Sequence, residues 1–291
     1  MFQVYELPFE LFSLVMPLFE GTWFDEMFIM PALKGQQPGR VVVDRLDSPS
    51  AAILFRPYDF YIAGSPDALD LRQFIQDAPA EVGTFQHFHG FVPIDPTWES
   101  VLLDDFSNQL MLLKRCNYRW HGAPLIDWRS LLPGGVSIVP IDAALAQRLD
   151  RDWNEGIGFL WGGNDRFERD GFGFCLKVDN ELASMVVTDG VGEGSVNIGV
   201  HTAERFQRRG FAKLVCSAFI EHTLAEGLLP VWDCEDRNTR SKALAERLGF
   251  VPARPFTELC VSEPPYGKFK LTERLWTSAP AASDTTVWMR H

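Results

Sequence analysis

The sequence predicts an α+β protein built from two domains. Its 291 residues are many for one compact domain and comfortable for two. Short apolar runs typical of strands alternate with stretches that repeat apolar residues at helical spacing. A Gly- and Pro-rich stretch that has neither period, HGAPLIDWRSLLPGG, indicates a boundary near residue 130. We therefore expect a smaller α+β domain over residues 1–130, a second domain over 131–277 and a flexible polar tail over 278–291.

The first domain is predicted to mix helices and strands. The run ELPFELFSLVMPLFEG has the apolar spacing of a helix and ends at Gly21. RVVVD and AAILFRPYDFYIAG are typical of strands, and the turn-like LDSPS separates them. SPDALDLRQFIQDA predicts a helix that begins at an N-cap, Ser65 or Asp67. PTWESVLLDDFSNQLMLLKRC predicts a further amphipathic helix.

The second domain shows a clearer order of elements. VSIVPID predicts a strand, and AALAQRLDRDW predicts the helix that follows it. GFGFCLKVD and LASMVVTDG predict two strands joined by a turn at NE, and SVNIGVHT predicts a third. FAKLVCSAFIEHTLAEG predicts a helix that stops at Gly227, and PVWDC predicts a buried strand. NTRSKALAERLGF predicts a last helix, capped by Asn238 and ended by Gly249.

Composition and charge narrow the classes of function. The net charge of -12 disfavours general nucleic-acid binding, which usually relies on a basic surface, and it would attract a cationic amine. The apolar N-terminus lacks a basic region, so it does not resemble a signal peptide, and no apolar run is long enough to span a membrane. Five scattered cysteines without a CxxC pair are typical of reduced, buried thiols. We expect a soluble cytoplasmic protein.

The segment FQRRGFA lies between the predicted strand SVNIGVHT and the helix that begins near Phe211. A helix N-terminus presents unpaired N–H groups and the positive end of the helix dipole. A glycine lets an anion approach the backbone, and arginines add positive charge for phosphate oxygens. Strand, loop and helix together therefore predict a pyrophosphate site, although an arginine pair at a helix start is also a common solvated surface feature.

The pattern Gln207-Arg208-Arg209-Gly210-Phe211-Ala212 resembles the acetyl-CoA pyrophosphate loop of the GCN5-related N-acetyltransferases, the GNAT superfamily. PVWDCEDRNTRSKALAERLGF is similar to that family's next strand and helix, and GFGFCLKVDNELASMVVTDG is similar to its preceding hairpin. The resemblance spans roughly residues 136–276. It implies a GNAT fold in the second domain, with a mixed, splayed sheet flanked by helices. The chain looks most similar to a two-domain branch that includes antibiotic-resistance acetyltransferases.

The resemblance implies where acetyl-CoA binds. Backbone N–H groups of residues 208–212 would hold the pyrophosphate, Gln207 would open the loop, and Gly210 would permit the close approach. Two neighbouring parallel strands would splay apart, and backbone groups near Val200 and Thr202 would line the gap, where one N–H would serve as an oxyanion donor. Asn238 would cap the last helix and reach the pantetheine arm. The cofactor-binding residues expected are Val200, Thr202, Gln207, Arg208, Arg209, Gly210, Phe211, Ala212 and Asn238.

The proton-transfer groups are less clear, because the chain departs from the family pattern. Many relatives carry a tyrosine seven residues after the Asn as the acid for the leaving thiolate, and that position is Ala245 here. Ser241 or water would have to replace it. The usual acidic base on the fourth strand corresponds to Asn197, which leaves Glu193 and Asp189 as carboxylates that would act through a water. The candidate catalytic residues are Asn197, Glu193 and Ser241.

Other side chains allow two interpretations each. His201 is a candidate proton relay or an ordinary strand-end histidine. Trp153, Trp161 and Asn164 flank a region that shapes the acceptor pocket in relatives, and ordinary packing explains them equally well. His87 and His89 lack a third and a fourth ligand at suitable spacing, so no metal site is expected.

These observations predict an acetyl-CoA-dependent N-acetyltransferase that acts on a primary amine of a small molecule. The amine would attack directly within a ternary complex, without an acyl-enzyme. Two alternatives stay open: a protein or peptide N-acetyltransferase, and a CoA-binding module that has lost catalysis. Neither a nucleic acid nor a membrane is expected as a partner, and a homodimer is left open.

Overall fold

The computed structural model describes residues 4–21, 25–57, 59–69, 89–94, 96–106, 110–192, 194–253 and 255–261. The chain divides into two compact units. The first contains the described parts of residues 1–25, 29–113 and 257–291, and the second contains residues 26–28 and 114–256. The second unit therefore begins before the boundary expected near residue 130. In the described residues, no helix has the length and apolar character needed to cross a membrane.

The first unit contains a largely antiparallel sheet. Its strands are β1 (Tyr5–Leu7), β2 (Arg40–Val43), β3 (Ala51–Phe55), β4 (Asp59–Gly64), β5 (His89–Pro93) and β13 (Phe256–Val261). Strands β1 to β4 pair with their neighbours in antiparallel fashion. β5 runs parallel to β4 and antiparallel to β13. Its helices are α1 (Met16–Phe19), α2 (Met30–Leu33) and α3 (Pro96–Phe106). Short 3-10 helices cover Phe9–Leu14 and Pro66–Ala68, and a π-helical turn covers Asp25–Ile29.

Prolines explain two differences from the sequence-based expectations in this unit. The single helix predicted over residues 6–21 is wrong: β1 takes its first residues, and a 3-10 helix and α1 follow. Pro8 precedes the 3-10 helix, and Pro17 lies in the first turn of α1, a position where its missing N–H costs no helical hydrogen bond. The stretch around Arg56 and Pro57 is a hairpin turn between β3 and β4 rather than part of one strand.

The helix predicted over residues 96–116 is only half correct. Helix α3 ends at Phe106, and β6 (Leu110–Trp120) follows. In the second unit β6 pairs with β11 (Leu229–Glu235) and β12 (Phe250–Pro252), and this non-local pairing outweighs the helical apolar spacing of its sequence. The helix predicted over residues 65–78 is described only as the 3-10 turn at Pro66–Ala68. The rest of that segment and the predicted tail lie outside the described residues.

The second unit has the order of elements that its sequence predicts. The strands are β7 (Val136–Pro140), β8 (Gly173–Val178), β9 (Glu181–Val191), β10 (Ser195–Thr202), β11 (Leu229–Glu235) and β12 (Phe250–Pro252). The helices are α4 (Ala143–Trp153), α5 (Ile157–Trp161), α6 (Asn164–Asp170), α7 (Phe211–Ala225) and α8 (Thr239–Arg247). A 3-10 turn covers Glu204–Phe206. Helices α5 and α6 and the short strand β12 were not anticipated.

The sheet of the second unit runs β6–β11–β10–β9–β8–β7. All its neighbours are antiparallel except β10 and β11, which are parallel and joined through α7. This βαβ unit places the N-terminus of α7 beside the carboxyl end of β10. Apolar residues of α7 and α8 pack with alternate residues of β10 and β11 in one core, which includes Ile198, Phe211, Phe219, Trp232 and Ala245.

Candidate active site

Strands β10 and β11 separate part of the way along their length. They pair in parallel from Ser195–Leu229 to Asn197–Val231, and no paired residues follow in the described strands. β10 nevertheless stays paired with β9 as far as Thr202, and β11 stays paired with β6 as far as Glu235. The two strand edges that face each other beyond Asn197 therefore keep backbone polar groups available. This separation of the strands is the splayed gap that the resemblance implies near Val200 and Thr202.

Two buried phenylalanines hold the loop between β10 and α7. Phe206 and Phe211 are each 6% exposed, and their ring centroids lie 6.2 Å apart. The four residues between them, 207–210, are all exposed. The aromatic rings thus anchor both ends of the loop in the core, while the Gln-Arg-Arg-Gly segment stays at the surface. Gln207 closes the loop onto the strand, because its Nε2 donates to the carbonyl of Thr202 at 3.2 Å.

The backbone of this loop has the conformation of an anion site. Arg208 has a φ of 61° and Gly210 has a φ of 80°, so two of three consecutive residues are left-handed. Gly210 is the N-cap of α7 and makes no side-chain cap, and a Cβ built there would meet no atom within 4 Å. In the described part of the chain, nothing accepts a hydrogen bond from the N–H groups of residues 208–213. These donors at the positive end of α7 suit a phosphate group.

The arginines of the loop differ in what they contact. The Arg209 guanidinium lies 5.4 Å from the centre of the Phe206 ring. Arg205 pairs with Glu181 at the surface and also lies over Phe206. Arg208 forms no ion pair within the described residues, and its side chain is exposed. Arg208 is therefore the arginine of this loop that is best placed to follow a bound phosphate.

Asn238 and Ser241 both belong to the start of α8, near the opposite edge of the gap. Asn238 is the N-cap of that helix, and its Oδ1 accepts from the backbone N–H of Ser241 at 3.0 Å. The Asn238 amide nitrogen is the group left for a ligand. Ser241 Oγ accepts from the indole Nε1 of Trp232 at 2.9 Å, and Trp232 is 1% exposed. This bond ties Ser241 to the packing of α8 on the sheet.

Asn197 marks the point where the strands part. Its side chain is 3% exposed, and its Oδ1 accepts from the N–H of Ile198 at 2.6 Å. The register of β9 against β10 shifts between these two residues, and Asp189 is the extra residue of the resulting bulge. Asp189 lies against Gly199, where a Cβ would come within 2.6 Å of its carboxylate. Glu193, the other candidate carboxylate, lies outside the described residues.

His201 points away from Val200 and Thr202, because successive side chains of a strand alternate between its faces. Its Nδ1 hydrogen-bonds Glu155, which lies just after α4, and its ring centroid is 5.2 Å from that of Trp153. The bond to Glu155 raises the pKa of His201, and burial of the ring opposes this only in part. Glu155 is a candidate site residue that the sequence did not indicate, since it is 46 residues away from His201 along the chain.

Asp150 fixes the segment that carries Glu155. Its carboxylate accepts from the N–H groups of Ile157 at 2.6 Å and Gly158 at 2.9 Å, and burial raises its pKa. Asn154 and Gly156 on either side of Glu155 are both left-handed, with φ of 57° and 67°. The turn between α4 and α5 is therefore held in one shape.

The other residues named from the sequence have structural roles. Trp161 is 1% exposed, and its Nε1 donates to the carbonyl of Thr188 at 3.0 Å. Asn164 starts α6 and hydrogen-bonds Asp150. Ala245 lies on the inner face of α8 and is fully buried. His89 lies in β5, and His87 lies outside the described residues. Among the described residues, no group of His, Cys, Asp and Glu side chains suits a metal ion.

Comparisons with known proteins identify the family of the chain. The chain matches the family model of the GNAT acetyltransferases over residues 16–259. It is 27% identical over 243 residues to YdfB, an uncharacterised N-acetyltransferase of Bacillus subtilis (strain 168), and the match covers 81% of this chain and 92% of that protein.

Solved structures show the same fold. A GCN5-related N-acetyltransferase-like protein from Streptococcus suis 89/1591 has a TM-score of 0.65 at 22% identity, covering 86% of this chain and 98% of the other. A tandem GNAT protein from the clavulanic acid biosynthesis pathway has a TM-score of 0.58 at 11% identity, covering 96% and 99%. The family model spans most of the sequence, so the chain belongs to the GNAT acetyltransferase family and is an N-acetyltransferase.

Proposed function

We propose that the protein uses acetyl-CoA to acetylate a primary amine of a small molecule by direct attack in a ternary complex. The row of unpaired N–H groups over residues 208–213, at the end of the β10–β11 gap, is the observation that carries this proposal. The left-handed Gly210 with open space around it fits a close phosphate. When bound, acetyl-CoA supplies a thioester whose carbonyl carbon is the electrophile.

The protein's own groups supply binding and orientation. The N–H groups of residues 208–213 and the Arg208 side chain would hold the pyrophosphate. The free edges of β10 and β11 would hydrogen-bond the pantetheine amides, and a β10 N–H near Val200 would stabilise charge on the thioester oxygen. Asn238 would donate its amide N–H to the same arm. Fixing both reactants in this way removes much of the entropic barrier to amine attack.

The acidic balance of the chain favours a cationic acceptor. The net charge is -12, and the carboxylates Asp150 and Glu155 lie on the α4 side of the β10 end. The negative electrostatic field of these charges raises the local concentration of an amine in its ammonium form. Four of the five cysteines, at 116, 175, 216 and 234, are free thiols among the described side chains, which supports the proposed location in the reducing cytoplasm. A homodimer and membership of the antibiotic-resistance branch stay predictions.

A thiol-release assay tests the function. Purified protein is mixed with acetyl-CoA and, in turn, phenethylamine, spermidine, kanamycin and a lysine-containing peptide, and free CoA thiol is followed with a thiol reagent. We expect turnover on at least one of the three small amines and a lower kcat/KM on the peptide. Higher kcat/KM on the peptide would replace the small-molecule assignment. Tight CoA binding without any turnover would favour a binding module.

A matched pair of variants locates the site. Gly210 and Gly227 have φ of 80° and 75°, both have open space around them, and they lie at opposite ends of α7. Gly210→Glu places a carboxylate where the pyrophosphate is proposed to bind, so we expect acetyl transfer to be lost. Gly227→Glu imposes a similar backbone strain and should leave transfer nearly unchanged. Equal activity of the two variants would contradict the proposed site.

A further inference from the structure

Four features of His201 single it out at the end of β10. It lies in the stretch of β10 that has lost its pairing with β11, one residue from each of the two expected cofactor contacts. Its carbonyl accepts from Ser184 Oγ at 3.0 Å, which fixes the backbone. Its Nδ1 is bonded to Glu155, and its ring lies beside Trp153. Its side chain is still 43% exposed, so part of the ring is open to a substrate.

The bond to Glu155 determines which ring nitrogen can take a proton. A carboxylate at Nδ1 favours the tautomer that carries its hydrogen on that nitrogen, and the lone pair is then on Nε2. The Glu155 side chain is only 10% exposed, and the Asp150 bonds to Ile157 and Gly158 hold its turn in place. The pair therefore combines a buried, fixed carboxylate with a partly open imidazole.

We infer that His201 accepts the proton of the attacking amine through Nε2, and that Glu155 is the positioning residue that orients its ring. This inference rests on the proposed acetyl transfer. The other described candidates are less suited to the task. Asn197 is a buried amide whose oxygen already accepts a hydrogen bond, and the half-buried Ser241 already accepts one from the buried Trp232. Asp189 is half-buried at the bulge and is the strongest competitor.

The proton balance of the step is complete without a further reactant. The neutral amine nitrogen forms a bond to the acyl carbon, and the C–S bond breaks with its electron pair going to sulfur. The proton lost from nitrogen passes to Nε2 of His201, and the imidazolium then returns a proton to the thiolate, directly or through solvent. The products are the amide and CoA thiol, and the histidine ends neutral.

Glu155 also determines the pH range in which His201 is neutral. Its carboxylate is the charged group that acts on the ring from the turn after α4; Trp153 of α4 and Met185 of β9 are the uncharged neighbours. Because the pair favours the imidazolium, the pKa of His201 lies above its ordinary value of 6.5. In a plot of kcat/KM against pH, the acidic limb should follow the deprotonation of the His201 ring. Glu155→Gln removes the charge, so the limb should move to lower pH.

The test compares two histidines. His201→Gln keeps a hydrogen-bonding side chain but cannot take a proton. His222→Gln is the control, because His222 is also half-buried and packed on aromatic rings, Phe172 and Phe174, but lies in the last turn of α7. Thiol release is measured with the small amine that wild-type protein acetylates fastest, and acetyl-CoA affinity is measured by calorimetry. A nuclear magnetic resonance titration of the His201 ring gives its pKa independently of turnover.

We expect His201→Gln to lower kcat by about 100-fold or more with acetyl-CoA affinity within about twofold of wild type, and His222→Gln to retain wild-type kcat. Added imidazole should restore part of the activity of His201→Gly. In Glu155→Gln, the ring pKa and the acidic limb should fall together.

Several outcomes would overturn the role of His201. One is a His201→Gln variant whose kcat stays within about threefold of the wild-type value. A large loss of kcat in Asp189→Asn would then assign the proton acceptor to Asp189 instead. Another is a loss of acetyl-CoA binding that accounts for the whole defect. Wild-type protein without turnover on any amine would defeat the proposed function and this role together, whereas active His201→Gln would defeat this role alone.

Discussion

At the scale of single residues, a few polar side chains determine where backbone groups of the second unit are satisfied and where they are left free. Asn197 bonds the N–H of Ile198 at the bulge, and Gln207 bonds the carbonyl of Thr202 at the end of the same strand. Gly210 makes no cap at all. The donors of residues 208–213 are therefore left for a ligand, while those next to them are bonded internally.

Asn197→Ala should destabilise the protein without supplying or removing a proton acceptor. The substitution leaves the N–H of Ile198 buried without its acceptor, which costs about 1–3 kcal/mol of unfolding free energy. Urea unfolding of the two proteins measures this difference. A loss below about 0.5 kcal/mol would mean that water or a rearranged bulge replaces the bond.

The His201–Glu155 pair should stabilise the fold in a pH-dependent way. The folded-state pKa of His201 is raised, so its contribution is fully present below the ordinary value of 6.5 and is lost as pH rises through the folded value. Because the His201 side chain is 43% exposed, the contribution is limited to roughly 0.5 kcal/mol.

Glu155→Gln should therefore lower the unfolding free energy at pH 6 and leave it nearly unchanged at pH 9. Urea unfolding at both pH values, in a buffer of constant ionic strength, gives the difference between wild type and variant. A difference of the same size at both values would show that Glu155 stabilises its turn by contacts other than the charge pair.

At the scale of elements, the parting of β10 and β11 creates the gap, and α7 and α8 each present a helix start to it. β10 is held on its other side by β9, and β11 is held by β6, so neither edge collapses onto the other. The two helix starts differ: α8 has a side-chain cap from Asn238, whereas α7 has none. An uncapped start is the one prepared for an anion.

Two substitutions separate the roles of Asn238. Asn238→Ala removes the cap of α8 and should cost about 1 kcal/mol of unfolding free energy. Asn238→Asp keeps an oxygen for the Ser241 N–H, so stability should be retained, but it removes the amide donor. We expect acetyl-CoA affinity to fall in both variants. Unchanged affinity in Asn238→Asp, measured by calorimetry, would leave Asn238 with the capping role alone.

Elements with strong local signals could be predicted from the sequence. Helix α4 has the predicted bounds, α7 begins at Phe211, and α8 is capped by Asn238, because apolar spacing and cap residues are properties of short segments. Strand β6 was mistaken for a helix, since LMLLKRC becomes a strand only through its partners β11 and β12. The sequence FQRRGF shows that two phenylalanines flank the loop. It does not show that the rings of Phe206 and Phe211 pack close together in the core.

The sequence likewise indicated one part of the candidate site and not the other. The proposed cofactor loop is one contiguous segment, so a pattern of six residues indicated it. The proposed proton-transfer pair comes from segments far apart, and no spacing rule connects Glu155 to His201 across 46 residues. Only the packing of the turn after α4 against the end of β10 brings them together.

At the scale of the whole molecule, the proposed acetyl transfer requires that acetyl-CoA bind to the second unit at the N-terminus of α7. Gly210→Ala and Gly227→Ala provide a balanced test, because both place an alanine at a left-handed position with open space, and each should cost about 1 kcal/mol of stability.

Calorimetric titration of acetyl-CoA into wild type and these two variants is the most direct measurement. We predict that Gly210→Ala weakens binding by about tenfold or more, because the strained loop no longer aligns its N–H groups. Gly227→Ala should bind as wild type does. Equal affinities for all three proteins, at equal losses of stability in the variants, would contradict the assignment of the loop to acetyl-CoA.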